Sequence, residues 1–256
     1  MSPAKRSATW PHIPSSADPR DVMAQIEKTL IPTRPRAANR RHGQWDVLSR
    51  PTLPLILGLG MAIAYTFFGV LAYVHYPHVY SPLHNTLSQL GNSNLNPHGA
   101  VFYLIGCAVG GALVMAFFAS LGHWKRTGTP LQNRLLLLMQ ALGAVGGFGL
   151  LMNAVFPENQ LPAHHFWAGV VFNSLGAAML LSPFTFRRPN LPHLGVLVVP
   201  AFAVAAVVLM YVFAPIHLFE WPPVTVFLIS PILLGFHTRG VAILPSPHQA
   251  TEIPGS

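Results

Sequence analysis

Charge is what this chain has least of. Lys, Arg, Asp and Glu together make up 9% of the 256 residues, while 52% are hydrophobic. An ordinary globular chain carries roughly 25% charged residues, so these few cannot clothe a soluble surface of this size. Cysteine is nearly absent as well. Cys107 stands alone within an apolar run, which excludes an intrachain disulfide and a thiolate metal cluster and reads as a small buried hydrophobe. The first 50 residues contain no apolar h-region, so no cleavable secretory signal is expected. Deep inside the apolar runs there is no Asp, Glu, Lys or Arg, which argues against a proton relay or ion path built on buried charge.

What the chain does have is long hydrophobic runs. Six are found, at about residues 53–75, 99–121, 134–156, 165–184, 193–214 and 221–237. Each falls within the roughly 17–25 helical residues that cross a bilayer core. The expected fold class is therefore all-α: a polytopic membrane protein with a six-transmembrane-helix bundle over residues 51–240. Pro200 and Pro231 are expected to bend the last two spans. Gly106 with Gly110, and Gly143 with Gly147, have the small-xxx-small spacing that lets helix backbones approach.

The net charge of +8 suggests nucleic acid until it is mapped along the chain. Nine of the fifteen Lys and Arg lie in residues 1–50, and the others (Lys125, Arg126, Arg134, Arg187, Arg188, Arg239) occupy alternate gaps between spans. The first, third and fifth gaps carry none. That alternation follows the positive-inside rule and puts both termini in the cytoplasm. The expected partners are membrane lipids, with anionic headgroups at the basic tail, and no nucleic acid. Residues 1–50 read as a cytoplasmic tail with Trp45 as an interfacial anchor. Residues 19–31 within it are either an amphipathic surface helix or weakly structured chain. Residues 241–256 form a short cytoplasmic C-terminal tail.

With that sidedness, polar chemistry collects outside. The segment from His75 to His98 holds four histidines and two tyrosines and has no Lys, Arg, Asp or Glu. His75, His78, His84, His98, His164, His165 and His217 all fall at outer span ends or in outer loops, as do Glu158 and Glu220. Neutral imidazoles near a carboxylate suit zinc or another borderline divalent metal, for which His84, His165 and Glu158 are the candidates. The same groups suit acid–base work near neutral pH. Against both readings, His and Tyr sit comfortably at the headgroup level, and no pair has the helical i, i+4 spacing of H-E-x-x-H. No cofactor is expected beyond that zinc alternative. Gln140, Asn153 and Asn173 lie inside spans, where interhelical hydrogen bonding is the default expectation.

Two segments resemble a known family. Asn85-Thr86-Leu87-Ser88-Gln89-Leu90-Gly91, followed by Asn96-Pro97-His98 and Phe102, is similar to the motif after the first span in the six-helix bacterial membrane proteins of the domain of unknown function 998. Phe156-Pro157-Glu158, followed by His164-His165 and Ala168, resembles that family's motif between spans three and four. The layout is also similar to that of the eukaryotic DRAM autophagy modulators. Where such families often carry an acidic residue after the Ser, this chain has Gln89. The resemblance implies a six-helix bundle whose outer surface gathers both segments, and it brings no activity with it. Ser88 is expected to hydrogen-bond within the loop rather than act as a nucleophile, and Gly91 to permit a positive-φ turn.

The function expected from these residues is binding or sensing of a lipid or other amphiphile at the extracytoplasmic face. The candidate site comprises His75, His78, His84, Asn85, Ser88, His98, Asn153, Glu158, His164, His165 and Asn173. The alternatives are a metal-dependent hydrolase of a lipid amide or ester at that face, or a structural or assembly subunit. For the hydrolase, alkaline ceramidases offer a pattern, but this chain lacks their intramembrane Asp and HxxxH spacing.

Overall fold

The computed structural model describes residues 52–126, 129–186, 202–209, 212 and 220–241. Within them the chain forms helices α1 (Leu53–Val74), α2 (Ala100–Ser120), α3 (Pro130–Val155), α4 (Leu161–Thr185) and α5 (Trp221–Val241). Two 3₁₀ turns, Leu87–Gly91 and Leu121–Arg126, flank α2. There is no strand among the described residues. These five helices are each long and apolar enough to cross a membrane, so this is a multi-pass helical membrane protein. Residues 202–209 and 212, inside the expected fifth span, are also helical. The rest of that span, Pro200, and both tails with the 19–31 helix and Trp45 lie outside the described residues.

The helices show why lipid must surround them. On α1 the exposed side chains Ile56, Leu59, Ile63, Phe67, Val70 and Val74 recur at helical spacing, so the outward face is as apolar as the inward one. A soluble helix reverses that pattern, keeping its outer face polar.

Local chemistry sets the helix ends. Two helices begin about one turn earlier than apolarity alone predicts. Before α3, the Thr129 hydroxyl accepts from the Gln132 N–H at 3.3 Å and the Gln132 side chain accepts from the Thr129 N–H at 2.9 Å. That capping box, with Pro130 at the first position, adds a polar turn ahead of the apolar run. Helix α4 likewise starts with Leu161-Pro162 ahead of its apolar stretch. Pro231 is accommodated within a continuous α5, and Pro183 within α4.

Close backbone approach holds the bundle together. Helix α2 lies between α1 and α3, α4 packs on α3, and α5 packs on α1. A Cβ on Gly111 of α2 would stand 2.6 Å from the Gly147 carbonyl of α3. A Cβ on Gly235 of α5 would stand 2.5 Å from Leu55 Cα of α1. At both crossings only hydrogen fits, which is the small-residue packing membrane helices use in place of a hydrophobic driving force.

Helices α1 and α3 run one way and α2, α4 and α5 the other, which gives the bundle two chemically distinct ends. One carries the 75–99 loop, Glu158 and Glu220. The other carries Arg134 in the second turn of α3 and Arg239 in the last turn of α5. That second end is closed by Trp124, whose ring meets Phe186 edge-on at 4.9 Å and stacks on His237 at 6.2 Å.

Candidate functional site

The 75–99 loop folds back onto the helix ends. Its apolar anchors Leu87, Leu90 and Tyr80 are buried with Ala72, Tyr103 and Cys107. The Tyr80 hydroxyl donates to the Thr86 carbonyl at 2.7 Å, and its ring packs edge-on against Tyr76 and Trp221. Asn96, with 0% exposure, holds the loop from within. Its amide donates to the Ala72 and Leu90 carbonyls at 3.0 and 2.9 Å, and its carbonyl accepts from the Gly99 N–H at 3.0 Å. Nothing in its sequence context marked Asn96 as more than part of a motif.

Gly91 is a correction. None of the described glycines has a positive φ. Glycine is needed at 91 because a Cβ there would lie 2.5 Å from Cδ1 of the Tyr103 ring. The constraint is packing rather than turn geometry.

Two carboxylates fasten the loop to other elements. Glu220, just before α5, accepts from the Leu87 N–H at 2.8 Å and from the Ser88 hydroxyl at 3.0 Å. Burial pushes the Glu220 carboxyl above the usual carboxylate range; the Ser88 and Leu87 hydrogen bonds pull it down, and the charge of Glu158 adds to the rise. Glu158, between α3 and α4, accepts from the Asn92 side-chain amide.

Beneath the clasped loop lies a cavity of about 70 Å³, room for a few water-sized groups. Every neighbouring element supplies it with one polar side chain: Tyr65 from α1, Ser88 from the loop, Tyr103 from α2, Asn153 from α3, His164 from α4 and Glu220 before α5. Met61, Val114, Phe172, Leu175, Val224 and Phe227 line the remainder with hydrocarbon. A smaller void of about 10 Å³ shares Met61, Val114, Leu175 and Phe227, and extends the apolar part toward Phe117 and Pro231.

The polar groups differ in how far they are satisfied. The Tyr65 and Tyr103 hydroxyls pair at 3.2 Å. His164, 4% exposed, places Nδ1 3.0 Å from the Phe156 carbonyl. A carbonyl only accepts, so Nδ1 carries the proton and Nε2 of the neutral ring is left as an acceptor. Asn153, 8% exposed, has a buried Oδ1 with no hydrogen-bond partner in the protein. The default expectation of an interhelical bond therefore does not hold for Asn153. It does hold for Gln140, which donates to the Phe118 and Ala119 carbonyls.

Of the predicted site residues, Ser88, Asn153 and His164 meet at this cavity, while Glu158 is held by Asn92 and does not line it. Asn85 works inside the loop, accepting from the Ser81 N–H and donating to Gln89 at 2.8 Å. His75, His78, His84, His98 and His165 are exposed at the surface, and Asn173 faces outward with its amide on the Gly169 carbonyl. His217 is outside the described residues. Among the described residues no three His, Cys, Asp or Glu side chains converge as metal ligands.

Sequence reasoning passed over Tyr65 and Tyr103, and put Glu220 on this side without joining it to the site. The available signal was a hydroxyl about two and a half turns inside α1, which needs a partner in hydrocarbon just as an amide does.

Neither curated proteins nor solved structures gave a match to the chain. Residues 40–242, taking in the loop motif, both carboxylates and all the helices described, match the family described as protein of unknown function DUF998, and the chain belongs to that family.

Proposed function

We propose that this protein is a membrane-embedded binding or sensing protein for a single-chain lipid or similar amphiphile, taken headgroup-first into the cavity under the 75–99 loop. In this reading the loop end is the extracytoplasmic face of a bacterial inner membrane. The stretch around 193–214 supplies a sixth span, and both termini are cytoplasmic, as the distribution of Lys and Arg supports. The observation that carries the reading is the two-part cavity, polar at the loop and hydrocarbon below, with the Asn153 Oδ1 unpaired in its wall. Leaving such an acceptor unsatisfied costs about 1–3 kcal/mol, which a headgroup donor offsets. The metal-dependent hydrolase alternative has no cluster of three donors among the described residues to carry it, and Ser88 is engaged with a carboxylate rather than an imidazole.

The test is lipid content. Protein purified in nanodiscs should retain an amphiphile enriched over bulk lipid, and Leu175→Trp, which fills the cavity, should lose it while still folding. Equal lipid content in the two proteins would count against the site.

A further inference from the structure

From the chemistry of the cavity's polar end we infer the class of headgroup it takes: one that donates hydrogen bonds and carries no negative charge, such as a long-chain alcohol or amine, in preference to an anionic headgroup such as a carboxylate. This rests on the binding function proposed above and narrows it.

Charge and hydrogen-bonding capacity at the polar end decide which headgroup fits. Three residues with acceptor capacity line the polar end from three elements: Asn153, whose Oδ1 has no protein partner; His164, whose Nε2 is left over once Nδ1 is committed to the Phe156 carbonyl; and Glu220. Each carboxyl oxygen of Glu220 already accepts one bond, from Leu87 or Ser88, and a carboxylate has roughly four acceptor positions in all. Donors are fewer. The Ser88 hydroxyl proton is given to Glu220. The Tyr65–Tyr103 pair uses one of its two protons on itself, leaving one. No Lys or Arg lines the cavity.

An anionic head entering here would meet the Glu220 carboxyl with neutral donors alone, the Asn153 amide and one phenol, and no Lys or Arg to compensate it. Desolvating a charge under those terms is costly. A hydroxyl would instead satisfy the orphaned amide oxygen with its one proton, and an ammonium would do so with two protons left for His164 and Glu220. The hydrocarbon wall formed by Val114, Phe172, Leu175 and Phe227 meets the methylenes next to the head and is indifferent to the head itself, so discrimination resides in the polar end alone.

The experiment compares headgroups at one chain length on the full-length protein in nanodiscs. A diazirine-bearing dodecanol is crosslinked into the site, and dodecan-1-ol, dodecylamine and laurate compete at equal mole fraction in the bilayer. Crosslinks should map to peptides containing Asn153 or Leu175. The alcohol or the amine should compete at least about tenfold better than laurate, a difference of about 1.4 kcal/mol. Asn153→Leu should reduce that advantage without abolishing crosslinking, since the apolar wall remains. Laurate competing equally or better would overturn the headgroup inference while leaving amphiphile binding intact. Absence of any saturable crosslinking at the cavity would overturn both. Because the headgroup comparison is made on the unaltered protein, a variant that fails to fold does not remove the test. Amine against alcohol then separates a charged partner for Glu220 from a neutral one.

Discussion

Ser88 and Glu220 are 132 positions apart in the chain, and the Ser88 hydroxyl donates to the Glu220 carboxyl across 3.0 Å. With the Leu87 N–H on the other carboxyl oxygen at 2.8 Å, this clasp ties the loop after α1 to the start of α5 and roofs the cavity. Ser88→Ala removes one of the two bonds, worth about 1–3 kcal/mol. Amide exchange over residues 85–91 should speed up while exchange in α2 and α3 stays unchanged. Unaltered protection of the loop would mean the clasp contributes nothing.

The clasp should also be sensitive to pH. Burial raises the Glu220 carboxyl, against the pull of the Ser88 and Leu87 bonds. The folded protein therefore holds this proton more tightly than the unfolded chain does. The stability this gives is fully present below the usual carboxylate range and is lost as pH rises through the raised folded value. Glu220→Gln imitates the protonated group at every pH. Thermal unfolding in detergent should find the two proteins close at acid pH and the unaltered one falling behind as pH increases. Parallel curves would contradict the shift.

Asn96 should tolerate almost nothing. Its side chain serves two carbonyls and one N–H in a site with no exposure. Asn96→Ala leaves three buried groups unpaired, at about 1–3 kcal/mol for each. Asn96→Asp removes the amide donor and sets an acceptor against the Ala72 and Leu90 carbonyls. Both variants should unfold at markedly lower temperature, or fail to accumulate in the membrane. Retention of the normal midpoint by either one would show the loop is held elsewhere.

Glycines should separate by what lies over them. Gly60 has open space where a Cβ would go, whereas Gly111 has the Gly147 carbonyl at 2.6 Å. Gly60→Ala should be neutral or slightly stabilising, since Ala is the better helix former by roughly 1 kcal/mol. Gly111→Ala must push α2 away from α3 and should lower the unfolding midpoint. The comparison fails if both variants behave alike.

The proposed sidedness has its own check. His84 is exposed on the loop, and the lone Cys107 is buried, so His84→Cys creates a single reactive thiol. A membrane-impermeant maleimide should label it from outside intact cells. Labelling seen solely after the membrane is opened would invert the orientation.

The class of protein and the run of the five helices described were readable before any coordinates. Membrane insertion depends on summed apolarity over a window, and that sum is a property of composition, as the exposed apolar face of α1 illustrates. Helix starts were less readable. The first turn of α3 is polar, so an apolarity criterion begins too late, although Thr129, Pro130 and Gln132 spell out the cap to a reader looking for it.

The site divided along a different line. Histidines were the conspicuous residues of the outer face, yet His75, His78, His84, His98 and His165 stay at the surface, while their neighbour His164 turns inward. Adjacent positions on α4 are rotated about 100° from each other, so which of His164 and His165 faced the bundle depended on how α4 packs against α3. Tyr65, Asn153 and Glu220 met for the same reason: each lies on a different helix or at its end, and nothing local records which faces will be opposed. One-dimensional order carries apolarity, capping and charge bias because each acts through near neighbours. Which lone polar side chains share a cavity is decided by helix rotation and by contacts between residues as distant as Ser88 and Glu220.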